Sequence, residues 1–369
     1  MANKPPVLFV AGTGQHSGKT LVSIGLTMRA HRAGLRVRYM KPVGQRTVSV
    51  DGEIVDEDVA LIVKACEMPV RLRTAGPVTI PPGFTRDFLM GTDNSGTLRR
   101  SIIDSFEELA ADADLVIVEG TGHAGVGSVV ELSNATVARL LGGEVILVTE
   151  GGIGRPIDEF SLNEALFARE GVSIFGVVCN KVLPNKLEEL REPVGRWMSR
   201  HGHRLLGLIP YEPMLTEITV GQIVQETGAQ VICGQEYLGC RVRTIAVGAE
   251  PAHRFLQSFG PGVLALIPGD RDDLVLAAVS AQQGHKSIQG VTAAICLTSG
   301  LLPHDNIMAI ARRAEMPVLA TKKNTYTAAS LMSDLVAKMT SSETEKIERA
   351  YELVTQHMDL AALEVPLSQ

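Results

Sequence analysis

Short apolar runs alternate with longer segments of helical periodicity along about the first 210 residues. The apolar runs include "VLFVAG", "DLVIVEG", "EVILVTEGG" and "IFGVVCNKV", and amphipathic segments such as "KTLVSIGLTMRAHRAG" lie between them. Strands that are nearly continuously apolar are typical of a parallel sheet that helices cover on both faces. The pattern therefore predicts an α/β fold built on a doubly wound parallel sheet.

A second series of apolar runs and helical segments begins after a proline-containing stretch near Pro213. It includes "TIAVGAE", "VLALIPGD", "TAAICLTSG" and "PVLATKK". The final segment, "SSETEKIERAYELVTQHM", has Ser342 and Glu345 in the spacing of a helix capping box. We therefore expect a first domain over residues 1–213, a second, smaller α/β domain over 214–340, and a C-terminal helix and tail over 341–369.

Composition narrows the class of protein and its partners. The chain has 369 residues, of which 45% are apolar, and a formal net charge of −6, so nothing in its charge favours nucleic acid or an anionic membrane. No apolar stretch reaches the roughly 18 residues that span a bilayer, and the N-terminus lacks a signal-peptide pattern. The five cysteines form no C-x-x-C pair. We expect a cytoplasmic, globular protein with no nucleic-acid or membrane partner.

The stretch "GTGQHSGKT" carries the clearest chemical signal of the chain. It lies between a predicted strand and a predicted helix, where main-chain N–H groups and the helix dipole together attract an anion. Lys19 would reach the β- and γ-phosphates of a nucleotide, and the Thr20 hydroxyl would bind Mg²⁺. Five residues separate Gly12 from Gly18, where the standard phosphate-binding motif has four. The alternative is an ordinary glycine-rich turn with a chance lysine.

The same stretch resembles the lengthened P-loop of the dethiobiotin synthetase family, G-T-x-x-x-x-G-K-T. The resemblance continues in order through "YMKPVG", "DEDVAL", "VIVEGTG", "VVCNKV" and "LGLIP", and it covers about the first 210 residues. It implies a site for ATP and Mg²⁺. The nucleotide-binding residues that follow from the loop and the resemblance are Gly12, Thr13, Gly14, Gln15, His16, Ser17, Gly18, Lys19, Thr20, Gly120 and Asn180.

The resemblance also assigns roles to residues at predicted strand ends. Lys41 would join Lys19 as a catalytic residue that neutralises the γ-phosphate and the acceptor, and Thr20, Asp58 and Glu119 would bind Mg²⁺. Asp56 competes with Asp58 for the metal role. The alternatives are a solvated lysine for Lys41 and a solvated first helical turn for the aspartates.

Two further assignments at this predicted sheet edge stay open. In the family, the residue that matches Asn180 contacts adenine, but a helix cap or turn former is an equal alternative. Gly120, Gly122 and Gly125 have dinucleotide-binding spacing without an acid about 20 residues on, so we interpret them as an acceptor or γ-phosphate loop. His123 in that loop is a substrate ligand or a bystander.

The second half resembles the DRTGG domain, which follows a dethiobiotin-synthetase-like domain in long phosphotransacetylases. The likeness rests on "IPGDRDD", with Asp270 and Arg271, and on "CLTSG" about 25 residues later. Ser299 stands where the family name expects glycine, which would narrow the approach of a phosphate. The alternative is a domain that only packs and dimerises.

These observations lead to one main hypothesis and two rivals. The main one is an ATP- and Mg²⁺-dependent ligase-type enzyme that phosphorylates a carboxylate or carbamate of a small-molecule substrate. The first rival is a non-catalytic regulatory protein that senses a nucleotide or metabolite. The second is a partitioning or metal-insertion ATPase, which is disfavoured because Thr13 and Gly14 stand where such loops place a second lysine. We expect a homodimer or higher homo-oligomer in each case.

Overall fold

The computed structural model describes residues 4–91, 95–283, 292–335 and 339–363. These residues form two compact units, one from Met1–Glu212 with Met339–Gln369 and one from Pro213–Lys338. Each unit has its own sheet and its own apolar core. The last residues of the predicted tail, 364–369, lie outside the described part of the chain.

The first unit is built on a six-stranded sheet in which every neighbouring pair of strands is parallel. The strand order is β10-β9-β8-β1-β7-β2. Strand β1 therefore lies where the chain order reverses, which is the point at which open α/β sheets bind ligands. The strands of this unit are β1 Val7–Gly12, β2 Val37–Met40, β3 Val43–Gly44, β4 Thr47–Val50, β5 Glu53–Asp56, β6 Val78–Thr79, β7 Leu115–Glu119, β8 Glu144–Glu150, β9 Ile174–Val182 and β10 Leu205–Pro210.

Four strands of this unit stand outside the main sheet. Strands β3 and β6 form a short parallel pair, and β4 and β5 form an antiparallel hairpin. Every residue of β1 and β7 is buried, as expected of central strands with helices on both faces. The prediction of a doubly wound parallel α/β sheet is confirmed.

Helices connect the parallel strands of the first unit. They are α1 Lys19–Arg32, α2 Glu57–Ala65, α3 Leu72–Ala75, α4 Phe84–Leu89, α5 Ser95–Ala110, α6 Asn134–Leu141, α7 Gly154–Arg169 and α8 Leu187–Arg200, with short 3-10 turns at Ser128–Val130 and Pro184–Lys186. Helix α1 follows β1 directly after the glycine-rich stretch of residues 12–20, hereafter the glycine-rich loop. No side chain caps the N-terminus of α1.

The second unit has a five-stranded sheet in the order β12-β17-β16-β15-β14. Only the edge strand β12 runs antiparallel to its neighbour. The strands of this unit are β11 Ile218–Thr219, β12 Gln230–Cys233, β13 Arg241–Val242, β14 Thr244–Val247, β15 Val263–Pro268, β16 Thr292–Thr298 and β17 Val318–Ala320. Strands β11 and β13 lie outside the five-stranded sheet and form an antiparallel pair. The helices are α9 Pro213–Thr216, α10 Val220–Thr227, α11 Ala252–Phe255, α12 Asp272–Gln283, α13 Asp305–Ala311 and α14 Thr325–Ser333, with 3-10 turns at Gln235–Tyr237 and Leu256–Ser258.

The C-terminal helix, α15 Thr344–His357, packs within the first unit against α1. Residue 358 forms an antiparallel bridge with Gly207 of β10. The predicted capping box is wrong, because the helix begins at Thr344 with Glu343 at the N-cap position and no side-chain cap hydrogen bond. In the described residues, no helix is both long and apolar enough to cross a membrane.

Close packing of α15 on α1 depends on Gly25. A Cβ atom at Gly25 would lie 2.5 Å from the Cβ of Val354, a β-branched side chain with little freedom to move. The two helices therefore approach each other over a position without a side chain.

We expect Gly25→Ala to lower the free energy of unfolding by about 1–3 kcal/mol, because overpacking outweighs the gain in helix propensity. Gly195→Ala in α8 is the matched control, since its nearest neighbour would be 3.8 Å away. This control should be neutral or stabilising by up to about 1 kcal/mol. Chemical denaturation of the full chain measures both. A Gly25→Ala protein as stable as Gly195→Ala would contradict this packing.

Candidate functional site

The glycine-rich loop needs its glycines for steric reasons. Gly18 has a φ of +102°, and a Cβ there would lie only 1.8 Å from Nδ2 of Asn180. A Cβ at Gly12 would lie 2.4 Å from the Ser17 hydroxyl and 3.0 Å from the Lys19 ammonium. Gly14 has open space around its Cα instead. Gly12 and Gly18 therefore let the loop fold back tightly over its own polar groups.

The loop concentrates donors that the protein itself leaves unused. The N–H of Thr13 donates to the carbonyl of Val148 at 3.0 Å, and residues 15–16 form a turn that involves the N–H of Ser17, but the N–H groups of residues 14–16 and 18–20 donate to no acceptor in the described chain. The Ser17 hydroxyl is also without a partner there, although Ser17 is only 1% exposed. A buried hydroxyl without a partner is rare unless a ligand or water satisfies it. Together with the N-terminus of α1, these donors form an anion-binding arrangement.

Lys19 folds back into the loop rather than into solvent. Its Nζ donates to the carbonyl oxygen of Gly14 at 3.0 Å, and the residue is 8% exposed. Burial, and secondarily the charge of Lys41, lower the pKa of Lys19 to about 8, although Glu119 acts in the opposite direction. The ammonium therefore lies inside the loop, with one hydrogen bond to a backbone carbonyl.

Three predicted metal ligands come together beside the loop. The Thr20 hydroxyl lies 2.8 Å from Oε1 of Glu119 and 3.3 Å from Oδ1 of Asp58. We call Thr20, Asp58 and Glu119 the oxygen triad. Within the residues that the structure describes, no cluster of three or more histidine, cysteine or acidic side chains could hold a metal. The triad has only two carboxylates plus a hydroxyl, a donor set that suits a hard cation with further water or phosphate ligands.

Two buried side chains, those of Tyr39 and Lys41, contact the carboxylates of the triad. The Tyr39 hydroxyl donates to Oε2 of Glu119 at 3.0 Å, and the Lys41 ammonium pairs with Oδ2 of Asp58 and, at 3.0 Å, with Oδ1 of Asp56. Lys41 is 7% exposed, so the alternative of a solvated lysine is wrong. Its ammonium is already neutralised by the protein.

Burial of charge shifts the acid–base properties of this cluster. Burial, and then the charge of Asp58, raise the pKa of Glu119 to about 7, while Lys41 and the Thr20 hydroxyl oppose the shift. Burial alone would lower the pKa of Lys41, but Asp58, Glu119 and Asp56 together raise it. The lysine therefore stays charged, and it is the main counter-ion of the buried carboxylates.

The structure separates the two candidate aspartates. Asp56 is the N-cap of α2, where its Oδ1 accepts from the N–H of Asp58 at 3.0 Å, and it is buried. The alternative of a solvated helical turn is therefore wrong for Asp56. Its other oxygen, Oδ2, has no hydrogen-bond partner among the described residues. Of the two aspartates, Asp58 is the one that contacts the Thr20 hydroxyl.

The side chains of Thr13 and Asn180 anchor the loop to neighbouring elements. Asn180 lies in β9 and donates through Nδ2 to the carbonyl of Ser17 at 3.0 Å, so the alternative of a helix cap is wrong. The Thr13 hydroxyl donates to Glu159 of α7 at 3.2 Å. Gln15 and His16 are exposed at the tip of the loop.

Two asparagines that sequence reasoning missed fix the loop after β7. Asn134 accepts from the N–H of Thr121 at 3.0 Å and donates to the carbonyls of Thr121 and His123, both at 2.7 Å. Asn163 of α7 accepts from the N–H of Ala124 at 2.7 Å. A Cβ at Gly120 would lie 2.7 Å from Oδ1 of Asn134. The clamp leaves His123 exposed, with its ring accepting from a backbone N–H in the same loop.

A tight turn at Ser299 and Gly300, in the DRTGG-like part of the second unit, follows directly after β16. Ser299 and Gly300 both have a left-handed backbone, with φ values of +69° and +70°. Their N–H groups donate to the carbonyls of Lys323, at 2.7 Å, and Thr321, at 3.0 Å. Arg271 pairs with Asp273 through two contacts of 2.8 Å. These groups are engaged within the unit, in contrast to the free donors of the glycine-rich loop.

Comparisons with known proteins agree with this two-unit arrangement. Residues 7–219 match the family described as AAA domain, and residues 222–335 match the DRTGG domain, which confirms that predicted resemblance. The phosphate acetyltransferase of Pseudomonas aeruginosa is 29% identical, over 95% of this chain and 50% of that protein. The enzyme of the same name from Pseudomonas putida is 28% identical, over 96% and 51%.

A solved structure, the MinC:MinD cell division protein complex of Aquifex aeolicus, is 12% identical with a TM-score of 0.36, over 57% of this chain and 83% of that chain. The chain spans about half the length of the curated relatives that it matches. It matches their N-terminal region. The chain therefore belongs to the AAA domain family, as a P-loop domain fused to a DRTGG domain.

Proposed function

We propose that the first unit binds ATP together with Mg²⁺ at the glycine-rich loop. The observation that carries this proposal is a loop that holds unused N–H groups, the unpartnered Ser17 hydroxyl and the Lys19 ammonium, followed by Thr20 of the oxygen triad. Donors of this kind match the phosphates, and the triad matches a hard cation. Gly12, Gly18 and Asn180 would contribute by shaping and anchoring the loop.

The charge balance of the site supports a requirement for Mg²⁺. Two lysines, Lys19 and Lys41, face three carboxylates, those of Asp56, Asp58 and Glu119. A triphosphate adds further negative charge at close range, and like charges in a poorly solvated site repel strongly. A divalent cation held by Thr20, Asp58 and Glu119 would offset that repulsion and organise the phosphates.

Binding without phosphoryl transfer is the role that the geometry supports best. Lys41, the residue expected to neutralise an acceptor, is already paired with Asp56 and Asp58. In the loop after β7, Asn134 and Asn163 bind their own backbone rather than facing a substrate. We therefore propose a nucleotide-responsive domain pair, of the kind that accompanies acetyltransferase chemistry in its phosphate acetyltransferase relatives.

A phosphoryl-transfer enzyme of the dethiobiotin synthetase type is the second candidate. The ordered motifs from the glycine-rich loop to "LGLIP" favour it. In that case Lys41 would have to exchange Asp58 for the γ-phosphate or the acceptor, and a small-molecule carboxylate or carbamate would be the substrate. Assembly as a homodimer or higher oligomer stays a prediction for both candidates.

Lys19→Ala should weaken ATP binding in the presence of Mg²⁺ by about a hundredfold, because it removes a charged hydrogen bond from a buried site. Lys186→Ala is the matched control, since Lys186 is an exposed lysine in a 3-10 turn of the same unit. Isothermal titration calorimetry measures both affinities. Equal affinities for the two variants would remove the assignment of Lys19.

Asp58→Asn should change the Mg²⁺ requirement of ATP binding, whereas Asp56→Asn should change the stability of the fold. Loss of a triad carboxylate should raise the Mg²⁺ concentration needed for ATP binding by about tenfold or more. Asp56→Asn keeps a capping side chain but weakens a buried ion pair, so it should cost about 1–3 kcal/mol of stability with an unchanged Mg²⁺ requirement. Calorimetry and denaturant titration separate the two. A shifted Mg²⁺ requirement in Asp56→Asn alone would reverse the assignment.

Steady-state assays should distinguish the two candidate functions. With Mg²⁺ and ATP, and with a panel of carboxylates and diamines added, wild-type protein should release ADP no faster than Lys19→Ala. Repeated turnover that disappears in Lys19→Ala would instead establish the phosphoryl-transfer candidate.

A further inference from the structure

On each carboxylate of the oxygen triad, one oxygen contacts a buried donor, Tyr39 or Lys41, and the other oxygen faces the Thr20 hydroxyl. On Glu119, Tyr39 donates to Oε2 at 3.0 Å, while Oε1 faces the Thr20 hydroxyl at 2.8 Å. On Asp58, Lys41 pairs with Oδ2, while Oδ1 faces the same hydroxyl at 3.3 Å. The two carboxylates therefore present one oxygen each to the space around Thr20.

The two donors are buried, so water cannot readily replace them. Tyr39 is 0% exposed within β2, and the Lys41 ammonium lies between two aspartates. Rotating Glu119 so that both oxygens faced a cation would leave the Tyr39 hydroxyl buried without an acceptor, which costs about 1–3 kcal/mol. Rotating Asp58 would break its charge pair with the buried ammonium of Lys41, which would leave that charge less well compensated.

One-oxygen carboxylates distinguish between classes of divalent cation. Ca²⁺ takes six to eight oxygens at long distances and commonly binds a carboxylate through both oxygens. Mg²⁺ takes six ligands in a compact octahedron, usually with one or two carboxylates, several waters and substrate phosphates. The triad offers three single oxygens, which would supply part of the ligand set of such a cation and leave room for water and phosphate. The unpartnered, buried Ser17 hydroxyl in the adjoining glycine-rich loop points independently to a ligand of that loop.

We propose that Tyr39 and Lys41 are positioning residues that hold Glu119 and Asp58 as one-oxygen ligands. Through them, the site selects a small six-coordinate cation such as Mg²⁺ or Mn²⁺ over Ca²⁺. The proposal rests on the proposed function, since it concerns the cation that accompanies the nucleotide. It also gives Lys41 a role that differs from contact with the acceptor.

A purely structural role for Tyr39 predicts a different result. If the hydroxyl served only to satisfy a buried phenol, its removal would change stability and leave the choice of cation untouched. Tyr39→Phe keeps the ring and removes only the donor, so the cation preference separates the two roles. Tyr326→Phe is the matched control, because Tyr326 is an exposed tyrosine of the second unit.

The test measures equilibrium binding of ADP to the full chain by calorimetry, in Mg²⁺, Mn²⁺ and Ca²⁺ separately. ADP serves as the probe because it leaves no γ-phosphate to transfer. Wild-type protein should bind ADP about tenfold more tightly, or better, with Mg²⁺ or Mn²⁺ than with Ca²⁺, and Tyr39→Phe should reduce that preference by about tenfold. Tyr326→Phe should keep the wild-type preference.

Each outcome decides the proposal. An unchanged cation preference in a folded Tyr39→Phe protein would overturn it while leaving the proposed function intact. Equal affinities of the wild type with Mg²⁺ and Ca²⁺ would overturn it without any variant, which covers the case in which Tyr39→Phe does not fold. Failure of the wild type to bind ADP with Mg²⁺ would instead remove the proposed function, and this inference with it.

Discussion

The buried carboxylate of Glu119 is the group on which the rest of the site depends. It ends the central strand β7 and is 1% exposed, so its charge needs compensation from the protein. Thr20 and Tyr39 each donate a hydrogen bond to it, and the more distant charge of Lys41 opposes the rise in its pKa. These contacts join three elements, β2, β7 and the start of α1, at one edge of the sheet.

Much of this arrangement follows from local sequence. The glycine-rich loop lies in one short segment, and the order of strands in a parallel sheet brings their carboxyl ends to the same edge. The sequence alone therefore suffices to place Glu119 and Lys41 near Thr20. The DRTGG resemblance likewise rested on short motifs, and the family comparison confirms it.

What sequence could not supply is the partner of each polar group. The contact between Asn180 and the carbonyl of Ser17 joins residues 163 positions apart, and no spacing rule connects them. Asp56 and Asp58 differ by two positions at the start of one helix, so only the direction of α2 decides which one faces Thr20. The packing of α15 on α1 in the first unit is also a tertiary contact, and it depends on the absence of a side chain at Gly25.

The two units differ in how they use left-handed turns at strand ends. In the first unit, Gly18 allows a loop whose N–H groups remain free, whereas the N–H groups of Ser299 and Gly300 are bound to neighbouring carbonyls. A turn with engaged donors holds its own unit together, and a turn with free donors can bind an anion. This difference supports the proposal that a phosphate binds at the glycine-rich loop of the first unit rather than at the turn of the second.

The most direct measurement is a crystal structure of the chain grown with ADP and Mn²⁺, with the metal located by its anomalous scattering. We expect one Mn²⁺ ion bound to the Thr20 hydroxyl and held, directly or through water, by single oxygens of Glu119 and Asp58. The β-phosphate should lie against Lys19 and the N–H groups of residues 14–20. A fully occupied nucleotide whose phosphates and metal lie away from the glycine-rich loop would contradict this expectation.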